Sequence, residues 1–427
     1  MTISAVLTVN MALYLLMAYR YGKASKMSLT YILSVYYVFI SVMGIVVIET
    51  GIYENVITLK RHGEYSVLPY LLCFYCLAVL IYPLRSVSFD NIAFKDIPYN
   101  KTTSFVINVW IVDMVAYTLL KLSQAVTASA LGYGEMYYMS AVEGASTEMF
   151  YGGNWLLFKF NNFNVNLNNA FSPFVMCYAF YGLITHQVRQ KKAVFIIGLI
   201  FFSQMFSALA IGSRGNLFFT FWSIGFYFII FYNKFSRKTK RQIIFIISSF
   251  LALVVAYSLA ISFARLGDSS GETPLTNIPR YFGEAFPNLG NVFWGEVKAH
   301  PYGSRLFPDI FGSAYSAVSI QDEYSFWQAF TGVPVLLFKT IYGDLYIEFG
   351  EFLPLVIVTA ISLFFLKFIG NKRVSFWKIS LIAWYFNLIL QGVFGFNKGG
   401  HSNFIVLIAV ILVSFVVKAY TSKTKKA

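Results

Sequence analysis

The chain alternates between long apolar runs and short polar connections. A helix that crosses a bilayer needs about 20 mostly apolar residues. Eleven runs fit that pattern: residues 2–19, 29–50, 66–84, 103–122, 169–188, 193–211, 216–232, 243–262, 352–369, 375–396 and 403–419. A further apolar stretch, 333–349, is shorter and carries Lys339, Asp344 and Glu348. It reads as an interfacial or re-entrant helix; if it crosses, the spans number twelve. The expected fold is all-α, a polytopic integral membrane protein with residues 1–427 forming one membrane domain.

The placement of charge orients these spans. With eleven spans and the N-terminus outside, the inner segments are 20–28, 85–102, 189–192, 233–242, 367–378 and 418–427. They hold 22 of the 33 Lys and Arg residues, with Asp90 and Asp96 as their acids. Every one is basic, as expected of the cytoplasmic side. The net charge of +14 is then mainly an orientation signal, and anchoring on anionic membrane lipids would use the same residues. No nucleic-acid partner is needed to explain it. Two long outer loops result, 123–168 and 263–351, the second including the 333–349 element.

Composition narrows the function. Hydrophobic residues make up 58% of the chain and charged residues 12%, against about 25% charged in a soluble domain. That excludes a soluble enzyme or a secreted disulfide scaffold, which would lack the polar groups to cover its surface. Cys73 and Cys76 form a C-x-x-C inside an apolar run, where they and Cys177 read as packing residues. No cleavable signal peptide is expected at the first run. No repeat of 20–50 residues is visible, which counts against a transporter built from repeats. Neither a phosphate-binding glycine loop nor a serine nucleophile elbow is present, and no metal-ligand spacing stands out. No metal or cofactor is expected.

Candidate chemistry gathers on the expected outer face. Gly212, Ser213, Arg214 and Gly215 form a turn between two spans. Ser213 there would cap the next helix, placing free N–H groups beside the Arg214 guanidinium, an arrangement suited to phosphate. The other reading is an interfacial arginine anchoring on lipid headgroups. Arg265 ends the eighth span, and Arg280 and Arg305 follow in the long loop. Arginine forks match phosphate oxygens, but Asp268, Glu272 and Glu284 offer salt-bridge partners nearby. His401 follows Lys398, Gly399 and Gly400 between the last two spans, and His300 precedes Pro301. Either histidine is a candidate base or a plain turn residue. Tyr281, Trp294 and Tyr302 are among many outer-loop aromatics that suit either a glycan groove or an interfacial belt.

Four features taken together resemble the Wzy-type O-antigen polymerases. They are the Gly212 to Gly215 turn, the Tyr281-Phe282-Gly283 opening of the long loop, the Tyr302-Gly303-Ser304-Arg305-Leu306-Phe307-Pro308 segment, and the run from Ile341 through Gly343-Asp344 to Glu348-Phe349-Gly350. The resemblance covers most of residues 190–405. It implies a multi-pass enzyme of the bacterial inner membrane whose active site faces the periplasm. The donor would be a glycan on undecaprenyl pyrophosphate and the acceptor one lipid-linked repeat unit. Transfer would need no metal, and lipid pyrophosphate would leave. A polysaccharide chain-length regulator is the protein partner the resemblance implies. Arg214, Arg265 and His401 would be catalytic, the arginines stabilising the leaving group and His401 acting as base. Ser213, Arg280, Tyr281, His300, Arg305 and Lys398 would bind substrate. The related O-antigen ligases use a long-loop histidine, and His300 takes that place here. Ligase is the first alternative. A lipid-linked oligosaccharide flippase is the second, disfavoured because the spans carry almost no charge apart from Asp113.

Overall fold

The computed structural model describes the chain except residues 25–26, 56, 61–63, 132–150, 152–153, 211–213, 266–273, 313–319, 371–373, 397–399 and 425–427. Among the described residues the regular structure is helical, apart from an isolated bridge between Ile92 and Val374. In chain order the α-helices are α1 (Ile3–Ala24), α2 (Leu29–Glu49), α3 (Leu68–Ile81), α4 (Lys101–Leu131), α5 (Trp155–Ile184), α6 (Gln190–Ala210), α7 (Arg214–Phe231) and α8 (Arg237–Arg265). There follow α9 (Pro274–Gly283), α10 (Ala285–Asn288), α11 (Pro308–Phe311), α12 (Ile320–Thr331), α13 (Thr340–Phe349), α14 (Leu353–Ile369), α15 (Ile379–Gln391) and α16 (His401–Thr424).

Each of the eleven apolar runs overlaps a helix. Among the described residues six segments are long and apolar enough to cross a membrane: Ile3–Ala24, Leu29–Glu49, Leu68–Ser86, Lys101–Ala128, Gln190–Ala210 and Asn403–Ser422. The chain is therefore a helical protein of membrane-spanning character. α14 has 17 residues and α15 has 13, which makes both short for a span. α5 carries Asn161, Asn162, Asn164, Asn166, Asn168 and Asn169 in its first half and Pro173 inside it. Within the expected outer loop 123–168, α4 extends to Leu131 and α5 begins at Trp155. Asn154 starts α5 by accepting from the Leu156 and Leu157 N–H groups. Asn161, Asn164 and Asn168 then share its buried face, where Asn168 accepts from the Trp110 indole at 3.0 Å.

The chain divides into two compact units. The first comprises 1–87, 268–371 and 386–404; the second comprises 88–267, 372–385 and 405–427. In the first, α1 packs on α2, and α9 lies against α2 where Gly283 meets the Met43 carbonyl. Tyr14, Tyr37 and Phe286 cluster in its core, and the Tyr37 hydroxyl donates to the Ile389 carbonyl at 2.6 Å. The Tyr53 hydroxyl hydrogen-bonds Asn288 and Asn291 of the 263–351 segment. In the second unit, α4 packs along α6, and Phe94, Tyr181 and Phe231 form an aromatic cluster. Several expected inner segments meet within this unit. Asp90 pairs with Lys234 at 2.7 Å, the Val374 N–H donates to Asn91, and Tyr420 donates to the Asn100 side chain at 3.1 Å.

Candidate functional site

The site is built from α13 of the first unit outward. Asp344 and Glu348 stand four residues apart and share a helix face. Both are buried, at 4% and 0% exposure. Ionised carboxylates in such a place need cations or donors. Arg305 supplies the cation: Nη2 lies 2.7 Å from Asp344 Oδ1, and Nε lies 3.0 Å from Glu348 Oε2. Backbone donors fill other lone pairs. Gly303 N–H reaches Glu348 Oε1 at 2.7 Å, and Phe396 N–H reaches Asp344 Oδ2 at 2.8 Å. Lys339 is also buried, 3.7 Å from Asp344, with its ammonium donating to the Val335 carbonyl. Two cations thus face two carboxylates.

The two carboxylates respond differently. Burial pushes the Asp344 carboxyl up, but Lys339 and Arg305 outweigh it and hold the group below its ordinary value. For Glu348 burial prevails over Arg305 and the two N–H donors, so its carboxyl lies above its ordinary value. Burial likewise lowers Lys339 despite Asp344. Burial disfavours the Arg305 charge too, but Asp344 and Glu348 reverse that and raise it.

This ionic clamp fixes the turn that precedes it. Tyr302 and Gly303 adopt left-handed φ values of 52° and 104°. Glycine is needed at 303 on two counts, its φ and the Phe311 ring, which would sit 2.4 Å from an added Cβ. Tyr302 N–H donates to the Glu348 carbonyl, and Ser304 Oγ closes the turn on Pro301 O at 2.8 Å. His300 follows from the same docking. Its Nδ1 lies 2.9 Å from the Ile347 carbonyl. A carbonyl only accepts, so Nδ1 carries a proton, and in the neutral imidazole Nε2 is the nitrogen with the lone pair. Nε2 sits over Gly350, where a side chain would be 3.6 Å away. Tyr346, stacked on Trp294 at 5.1 Å, and the exposed Tyr302 flank the imidazole edge-on.

The other expected site residues fall as follows. Arg280 donates through Nε to Glu284 at 2.8 Å, one of the pairings open from sequence. Tyr281 packs against Phe338 and Phe394. The Arg305 fork is occupied by Asp344 and Glu348. Arg214 and His401 begin α7 and α16, and Arg265 ends α8, but their side chains lie outside the described residues, as do Ser213 and Lys398. Gly400 N–H donates to the Leu306 carbonyl at 2.7 Å, which sets the start of α16 beside the 301–308 turn. The structure therefore joins two of the motifs, 302–308 and 341–350, through Arg305. From sequence, Asp344 and Glu348 stand out as charges on a short apolar helix and as members of the 341–350 motif, without a role of their own. Their i, i+4 spacing in a segment too apolar for water was the signal that they required a buried cation. Comparison with protein-family models, curated proteins and solved structures gave no match.

Proposed function

We propose that this protein polymerises oligosaccharide repeat units carried on undecaprenyl pyrophosphate, at the periplasmic face of a bacterial inner membrane. The acceptor hydroxyl oxygen attacks the anomeric carbon of the donor glycan. The bond to pyrophosphate breaks, the hydroxyl proton passes to a base, and lipid pyrophosphate leaves with the bonding electrons. One displacement inverts the anomeric centre. The observation that carries this reading is the docking of the 300–308 turn on α13, which leaves His300 Nε2 as a proton acceptor beside exposed Tyr302. Such a base contributes about 10²–10⁴-fold to a proton-coupled step. The exposed Tyr302 and the half-buried Trp294 supply aromatic faces on which sugar rings stack. Arg305 serves this reading as the anchor of the turn rather than as a phosphate ligand. Stabilisation of the leaving pyrophosphate falls to Arg214 and Arg265, with Ser213 and Lys398 as further donors. His401 remains the second candidate base. The partners in this reading are the lipid-linked glycans, membrane lipids and a chain-length regulator.

The ligase alternative has one observation of its own: the histidine with an available nitrogen lies in the long loop. Gene deletion followed by gel analysis of surface polysaccharide separates the two. One repeat unit on the lipid A core marks a polymerase. Bare core, with long chains left on the lipid carrier, marks a ligase. An unchanged polysaccharide profile would remove both.

A further inference from the structure

A buried charge in the second unit lacks a partner of opposite sign among the described residues. Lys121, on α4, is 7% exposed. Its ammonium donates to Gln124 Oε1 at 2.9 Å and lies 5.5 Å from the centre of the Tyr117 ring. Among the described residues no carboxylate comes within ion-pair distance of it. Asp113, the one acid of α4, lies two turns back, about 12 Å along the helix axis. Gln124 is 3% exposed, and its side-chain amide lies against the Tyr151 hydroxyl.

The donors here outnumber the acceptors. An ammonium has three N–H groups and an amide nitrogen two. Among the described residues two oxygens face these five, that of Gln124 for the ammonium and the Tyr151 hydroxyl for the amide. Burying a cation without a counter-ion costs several kcal/mol, and a packed apolar helix would avoid it. An arriving anion reverses that cost and takes the free donors together. We infer that Lys121 and Gln124, with the Tyr151 hydroxyl beside them, form a binding slot for a phosphate group. A phosphate presents several oxygens on one centre, enough for the ammonium and the amide at once. α4 is one of the six helices apolar enough to cross a membrane, and Lys121 lies towards its C-terminal end. A lipid phosphate head group and a free phosphate are the two sources of that chemistry. The inference uses none of the first unit's residues and does not depend on the glycosyl-transfer reading.

The test uses the purified full-length protein in phosphatidylcholine nanodiscs. One arm titrates inorganic phosphate, and the other compares discs with and without a polyprenyl monophosphate by thermal shift. Saturable stabilisation is expected in at least one arm. Stabilisation by inorganic phosphate identifies a soluble ligand; stabilisation only by the doped lipid identifies a head group. Lys121→Met should weaken binding about tenfold or more, the loss of one charge-assisted contact, while Lys121→Arg retains most of it. Without ligand, Lys121→Met should melt above wild type, because it removes an uncompensated charge. Gln124→Leu, measured in the same way, should weaken binding several-fold. Absence of saturable binding in both arms, binding unchanged in Lys121→Met, or a Met variant that melts below wild type or fails to fold would overturn the inference.

Discussion

Arg305 organises the first unit's loop through two buried contacts, to Asp344 at 2.7 Å and Glu348 at 3.0 Å. Removing it strands both carboxylates with little water. Arg305→Ala should therefore cost about 3–5 kcal/mol, read as a lowered unfolding midpoint in detergent, with Arg305→Lys intermediate because a point charge cannot serve two acids as a fork does. Equal midpoints for Arg305→Ala and wild type would remove the clamp. The carboxylates also give a pH signature. Glu348 lies above its ordinary value in the folded protein, so its contribution is present below the unfolded value and lost as pH rises through the folded one. Asp344 has the opposite sign, and its contribution falls away only in stronger acid. On lowering pH from about 7 to the ordinary glutamate value of about 4.3, wild type should gain stability relative to Glu348→Gln. A constant difference between the two proteins over that range would contradict the assignment. At this scale the sequence was legible in part. Arg305, Asp344 and Glu348 all drew attention as charges in an apolar chain. Their pairing did not, because some 40 residues separate them and no local pattern encodes which turn docks on which helix.

At the scale of elements, hydrophobic run length was the readable quantity. Every predicted run overlaps a helix, since 18 or so apolar residues have no other way to satisfy their backbone in lipid. Boundaries were harder to read. The asparagine-rich start of α5 resembles a loop, yet Asn154 caps it and its buried face closes on Trp110. Tertiary burial there overrides a poor local propensity. Close approach between elements was also hidden in the sequence. Gly283, read as part of a motif, meets the Met43 carbonyl of α2 where an added Cβ would lie at 2.4 Å. Gly283→Ala should push α9 off α2 and destabilise by about 1–3 kcal/mol. Gly295→Ala, with open space around it but a left-handed φ of 78°, is a control for backbone strain alone. A smaller loss for Gly283→Ala than for Gly295→Ala in thermal unfolding would show that the close packing is unimportant.

At the scale of the molecule, the basic connections carry the argument. Segments read from sequence as inner meet one another in the second unit, through Asp90 and Lys234, Asn91 and Val374, and Asn100 and Tyr420. In the first unit, residues of the connections read from sequence as outer, 51–65 and 263–351, meet likewise, with Lys60 on Glu296 at 2.7 Å. Cysteines introduced singly at Ser270 and Ser422 should accordingly label from opposite sides with an impermeant thiol reagent, and labelling from one side would refute the topology. The chemistry was less legible than the architecture, because only the docked loop distinguishes His300 from an ordinary turn histidine. Its role tests the central claim most directly. Purified protein given undecaprenyl-pyrophosphate-linked repeat units should yield a ladder of glycans on the lipid and release undecaprenyl pyrophosphate. His300→Gln, folded to the same midpoint, should lower that yield about 10²-fold or more, since an amide cannot take the acceptor's proton. The absence of any ladder from the folded wild-type protein, or a normal ladder from His300→Gln, would contradict the account.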